Sequence, residues 1–150
     1  MRPGIHIVAL RSLFALAALL IAGCITPLPP SPRDLEAKRF ETAPGRAVIY
    51  LVRDQPDFTR EPTSVVLDDS VMGTSYPGTY FHWVVAPGRH RIAGFASDSG
   101  VMVLDTTAGN IYFIQQSVTR TLGMTRSIFR PVHPVHGRDV VLRSELVASQ

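Results

Sequence analysis

At 150 residues, 45% hydrophobic and 18% charged, the chain has the size and composition of one globular domain able to bury a real core. The formal charge of +3 includes Arg2 and Arg11 in a leader-like start; without them thirteen basic residues face twelve acidic ones. That balance, with no run of about five like charges, excludes a nucleic-acid-binding field.

The first residues read as an export signal. Met1 to Arg11 carries two arginines and no acid, and Ser12 to Ala22 is an 11-residue apolar stretch. A membrane span needs roughly 20 apolar residues, whereas Arg11 and Pro27 bracket 15. Leu20-Ile21-Ala22-Gly23-Cys24 contains the chain's single cysteine and resembles the lipobox of bacterial lipoproteins. The resemblance implies cleavage between Gly23 and Cys24, a diacylglyceryl group on the Cys24 sulfur and acylation of the new amine. With that thiol consumed, stability must come from packing and not from disulfides. Ile25, where an aspartate commonly marks inner-membrane retention, leans toward the outer membrane facing the periplasm. The expected organisation is a signal peptide over 1–23, a lipidated cysteine and proline-rich tether over 24–45, and a folded domain over 46–147.

Prolines at 27, 29, 30, 32 and 44 predict an extended, semi-rigid tether, in which Ser31 or Asp34 could cap a turn or two of helix. Arg46 to Arg53 is apolar on both alternating faces, the pattern of an interior strand covered on two sides. Thr63 to Asp68 and Val71 to Tyr76 predict a hairpin turning at Asp68-Asp69. Pro77-Gly78 fits a type II turn, and Pro87-Gly88 repeats the device. Between them Thr79 to Val85 alternates, with one face expected in the core. Arg89 to Ala96, Val101 to Leu104 and Ile111 to Ile114 predict further strands, the last two flanking a left-handed turn at Ala108-Gly109-Asn110. Thr119 to Ser127 reads as a polar loop, and Ile128 to Arg130 as an edge strand stopped by Pro131. Val140 to Val147 is too short for periodicity to decide between a helix, which is favoured, and a last strand. The predicted fold is an all-β sandwich of seven or eight antiparallel strands.

Ala47-x-Ile49-Tyr50-x-x-Arg53, Val66-Leu67-Asp68 with Gly73, Tyr80 with Val85-Ala86-Pro87-Gly88-x-His90-x-Ile92, and Ala108-Gly109-x-x-Tyr112-Phe113 together resemble a family of small bacterial lipoproteins with a domain of unknown function. The resemblance spans about Arg46 to Val118 and implies an all-β domain. It brings no catalytic residues, and Asp69 departs from the glycine the family often has in that hairpin.

Chemistry is hard to assemble from the remaining motifs. Gly73 to Gly78 is one residue too long for a nucleophile elbow around Ser75, and Pro77 stands where its helix would begin. His133-Pro134-Val135-His136 lacks the helical face of HExxH zinc sites. His82 and His90 are positioned to pair across a tight hairpin. Asp68-Asp69 is an adjacent acid pair whose side chains point apart on a strand. Tyr76, Tyr80, Phe81 and Trp83 form an aromatic cluster that would serve as a ligand platform for sugars or a partner if exposed. No enzyme, cofactor or metal is expected. The readings that follow are a lipid-anchored envelope accessory or interaction module and, alternatively, a glycan- or peptidoglycan-binding module.

Overall fold

The computed structural model describes residues 29–95 and 98–148. The expected signal peptide and the lipobox-like motif, Cys24 included, lie outside the described residues. Among the described residues, two helices, α1 (Pro32–Ala37) and α2 (Pro134–Leu142), accompany nine strands. These are β1 (Ala47–Arg53), β2 (Thr63–Leu67), β3 (Ser70–Ser75), β4 (Thr79–Val85), β5 (Gly88–Gly94), β6 (Val101–Thr106), β7 (Ile111–Thr121), β8 (Met124–Pro131) and β9 (Glu145–Leu146). The first sheet has the order β8-β7-β1-β4-β9 and the second β3-β2-β5-β6. The fold is therefore all-β, two sheets without closure into a barrel. Two pairings, β1 with β7 and β4 with β9, are parallel.

Every residue of β1 is buried, because the first sheet is the middle of three layers. Ala47, Ile49 and Leu51 face the second sheet and pack with Val65, Leu67, Phe81, Trp83, Ile92 and Ile114. Val48, Tyr50 and Val52 face the other way, toward Tyr80, Phe113, Ala37 of α1 and Val140 and Val141 of α2. This two-sided burial explains why the strand reads as a continuous apolar run.

Both proline-glycine corners change sheets. Pro77-Gly78 joins β3 of the second sheet to β4 of the first, as a turn in which Gly78 has φ 82° and the Thr79 amide donates to the Tyr76 carbonyl at 3.1 Å. Pro87-Gly88 carries the chain back to β5. The expected hairpin between His82 and His90 is accordingly absent, since the two histidines stand in different sheets. Ala108-Gly109-Asn110 is likewise a crossover between sheets, with Gly109 at φ 80°. By contrast, the Asp68-Asp69 hairpin forms as predicted, both residues taking positive φ (48° and 67°).

Three regions differ from the sequence reading. The polar stretch from Thr119 to Ser127 is a hairpin between β7 and β8, closed by Leu122 and Gly123 at φ 50° and 80°, a two-residue turn whose twist matches the strands. The C-terminal helix starts earlier than expected, with Pro134 in its first turn and His133 as N-cap accepting from the Val135 amide. There proline lacks only a donor that the helix would leave unused.

The third difference lies in the supposed tether. Ser31 caps α1, and Asp34 inside it is 5% exposed. The Asp34 carboxylate accepts from the Tyr80 hydroxyl at 2.9 Å and the Leu146 amide at 3.2 Å, and pairs with Lys38 at 2.9 Å. Lys38 donates onward to the Ser144 carbonyl, and the Tyr50 hydroxyl donates to the Ala37 carbonyl. Residues 32–38 are thus docked on the first sheet. The segment free to act as a tether ends before Pro32.

Candidate functional site

The aromatic platform does not form. Tyr80 is fully buried and Phe81 and Trp83 are 2% and 5% exposed, leaving only Tyr76 at the surface. The reason lies in the layering: Phe81 and Trp83, ring centroids 5.3 Å apart, fill the space between the sheets, while Tyr80 on the opposite face lies under α1. Burial and the bond to Asp34 push the Tyr80 phenol far above its ordinary range, so it remains a neutral donor. Ser75 is also buried, donating to the Thr63 carbonyl.

Asp68 meets His90. Its carboxylate lies 2.6 Å from Nδ1 of His90, whose Nε2 is 2.8 Å from the Ala86 carbonyl oxygen, and the other carboxylate oxygen accepts the Arg91 amide. Only the doubly protonated imidazole can donate to both acceptors. Burial alone would depress the His90 pKa, but its bonds to Asp68 and Ala86 and the carboxylate charge raise it above 6.5. Burial would likewise raise Asp68, but the His90 and Arg91 contacts carry it below 3.8. The pair pins the β2–β3 turn to the β4–β5 corner.

Its pH signature follows. A raised histidine contributes fully below its unfolded value of 6.5 and loses that contribution as pH rises through the higher folded value. A lowered aspartate contributes above 3.8 and loses it as pH falls through its lower folded value. The Tm difference between wild type and His90→Gln should therefore be largest between those two unfolded values and shrink above it. The half-exposed Asp68 limits the effect to about 1 kcal/mol. A difference unchanged from pH 5 to pH 9 would show that the pair is not charged in the native state.

A second polar cluster is sealed. The Ser127 hydroxyl donates to the Asp98 carboxylate, Gln116 Nε2 donates to the Ser127 hydroxyl at 2.8 Å, and Asp98 also accepts the Ser127 and Gly100 amides. A serine beside a carboxylate invites a hydrolytic reading, but Ser127 is 2% exposed and has no base between it and the acid. Asp98 instead takes an outward amide of edge strand β8. The carbonyl of Ser127 lies so close to Gly100 that no side chain would fit at that glycine. An unguarded edge would recruit other strands.

The open site lies farther along the same hairpin. A cleft of about 500 Å³ is floored by Gln115 and Ser117 of β7 and Ile128 and Arg130 of β8, and walled by Asp54 and Pro56 to Phe58 of the β1–β2 loop. Phe58 and Ile128 are 79% and 46% exposed. The Arg130 guanidinium donates to Gln115 Oε1 at 2.8 Å, and Asp54 is held by Arg143 at 2.9 Å.

The wall is anchored by Arg53, buried at the end of β1. Its guanidinium pairs with Asp57 at 2.7 Å and donates to the carbonyls of Thr59, Glu61 and Ser75. Asp57 in turn accepts the Val118 amide of β7 at 3.0 Å and its neighbour Phe58's amide at 2.8 Å. The loop is fastened to both strands, and the phenyl ring of Phe58 stands in solvent on a rigid support. The sequence marks Arg53 as a strand end and Ile128 to Arg130 as an edge strand, but it does not mark any of these residues as part of a site. The available signal was an arginine closing an apolar strand, followed by Asp54-Gln55-Pro56-Asp57.

Among the described residues no three His, Cys, Asp or Glu side chains cluster as a metal set, and no helix is long and apolar enough to cross a membrane. His133 is spent as a helix cap.

Fold and cleft together define a two-sheet β protein with two flanking helices and an open amphiphilic groove. The chain is similar to an uncharacterized protein of Haemophilus influenzae, 29% identical over 114 residues, an alignment covering 71% of this chain and 68% of that protein. No family model matches the chain, and no solved structure does.

Proposed function

We propose that the protein is a lipid-anchored module of the bacterial envelope, held in the outer membrane facing the periplasm, that binds a partner protein without catalysing a reaction. The observation that carries the binding role is Phe58, a large aromatic ring 79% exposed on a loop that buried Arg53 holds fast. An exposed aromatic on a rigid support, beside an exposed isoleucine and a polar floor, is the composition of a binding hot spot. The lipobox motif supports the anchor, and the curated relative is also bacterial.

The glycan-binding alternative loses its main support, because three of its four aromatics are buried in the core.

A photo-crosslinking residue at position 58, introduced into cells making the full chain, should yield one discrete adduct with an envelope protein. Adding Ile128→Glu should abolish it, while the same crosslinker at exposed Val84 should give none. Identical adduct patterns from positions 58 and 84 would defeat the reading.

A further inference from the structure

The β7–β8 hairpin overshoots the rest of its sheet. β1 ends at Arg53, opposite Thr79, and β7 passes that level at Gln115 and Gln116. From there to Thr121 it pairs only with β8, an overhang of roughly 17–20 Å at about 3.3 Å per residue. At the tip, Leu122 is 94% exposed and Met124 64% exposed. Arg120 and Arg126 stand opposite Thr125 and Thr119 just behind them. Arg120 holds Glu61 at 2.6 Å, whereas Arg126 makes no ion pair among the described residues. An apolar tip with a basic collar is suited to a lipid interface, where the tip enters the acyl boundary and guanidinium groups meet phosphates.

The chain enters the domain at the same end. Pro29 and Pro30 line a cleft with Glu145 and Leu146, the β9 residues paired with Thr79 and Tyr80. Since residues 32–38 are docked, Cys24 is separated from Pro29 by five residue steps, a reach of at most about 18 Å. So short a link would hold this end of the first sheet toward the bilayer.

We infer that Leu122 to Met124 inserts into the lipid surface to which the chain is anchored, giving the domain a second membrane contact and a fixed orientation. The inference rests on the anchor at Cys24. Two contacts on opposite edges of one sheet end would prevent the domain from swivelling.

The test uses the mature lipidated chain in vesicles of phosphatidylethanolamine and phosphatidylglycerol with brominated acyl chains. Met124→Trp is compared with Val84→Trp, which lies at the opposite end of β4; Trp83, buried in both, supplies a constant background. Both positions are exposed, so neither change should disturb folding. If the tip inserts, the tryptophan at 124 should lose about half its emission to bromines about 5–10 Å below the headgroups, and the one at 84 almost none. Chains that float with the vesicles but show equal quenching at both positions would overturn the insertion and leave the anchor standing. A blue-shifted but unquenched tryptophan at 124 would also overturn it, because the tip would then be covered by protein. Chains that fail to float would remove the anchor and this inference with it.

Discussion

Replacing Arg53 with methionine should lower stability by about 3–5 kcal/mol, since breaking one half of a buried ion pair leaves an uncompensated charge. In this fold the cost has identifiable parts. The Asp57 side chain is 4% exposed and would be left with only the amides of Phe58 and Val118 as partners. The carbonyls of Thr59, Glu61 and Ser75 would lose the donors they now have, and each unsatisfied buried group costs about 1–3 kcal/mol. In a domain of this size the loss corresponds to a drop in Tm on the order of 10 °C, read by thermal denaturation. Adding Asp57→Asn should recover part of it, because the orphaned charge disappears while the carbonyls remain unpaired. A Tm within about 2 °C of wild type, no more than one surface substitution causes, would mean that Arg53 does not hold the loop. The variant should also weaken crosslinking from position 58 below the fraction explained by unfolding, because Phe58 is displayed by that loop.

How far the sequence foretells this molecule depends on what each segment contacts. β1 was legible because burial on both faces leaves an unbroken apolar run between Arg46 and Arg53. The turns at Asp68-Asp69 and Pro77-Gly78 were legible because their geometry is local and needs positive φ or a fixed proline. The sheet assignment was not local: a proline-glycine corner that turns a hairpin and one that crosses between sheets carry the same residues. Only the packing of Phe81 and Trp83 against the second sheet distinguishes them. For the same reason the aromatics from Tyr80 to Trp83 read as a possible surface cluster, although α1 covers one face of β4 and the second sheet covers the other.

The β7–β8 hairpin is not legible in the sequence, for the opposite reason. Its outer half projects beyond the core, so Thr119, Thr121 and Thr125 meet no apolar layer and show no alternation. The docked segment from Pro32 to Lys38 was hidden because its proline and charge content matches that of a linker. One of those charges, Asp34, is buried and satisfied by Tyr80, Lys38 and Leu146, which lie 46, 4 and 112 residues away in the sequence. The site itself depends on such long-range pairing: Asp57 reaches Val118 across 61 positions, and no local motif announces it.

The second large effect concerns Cys24. If the sulfur and the new amine both carry acyl chains, the chain has more than the single tail that gives only marginal, reversible binding, and its hold on the membrane is persistent. Cys24→Ala removes the proposed site of attachment and lies outside the described residues, which begin at Pro29. The altered chain should leave the membrane fraction almost completely, apart from whatever weak affinity the Leu122 to Met124 tip supplies. Without lipid modification the signal peptide should also remain uncleaved or be cut elsewhere.

The most direct measurement is metabolic labelling with radioactive palmitate, followed by purification of the wild-type and Cys24→Ala chains. Label in the wild-type protein and none in the variant is the expected result. An unlabelled wild-type chain, or equal label in both, would contradict the proposed lipid anchor, and with it the proposed placement in the envelope.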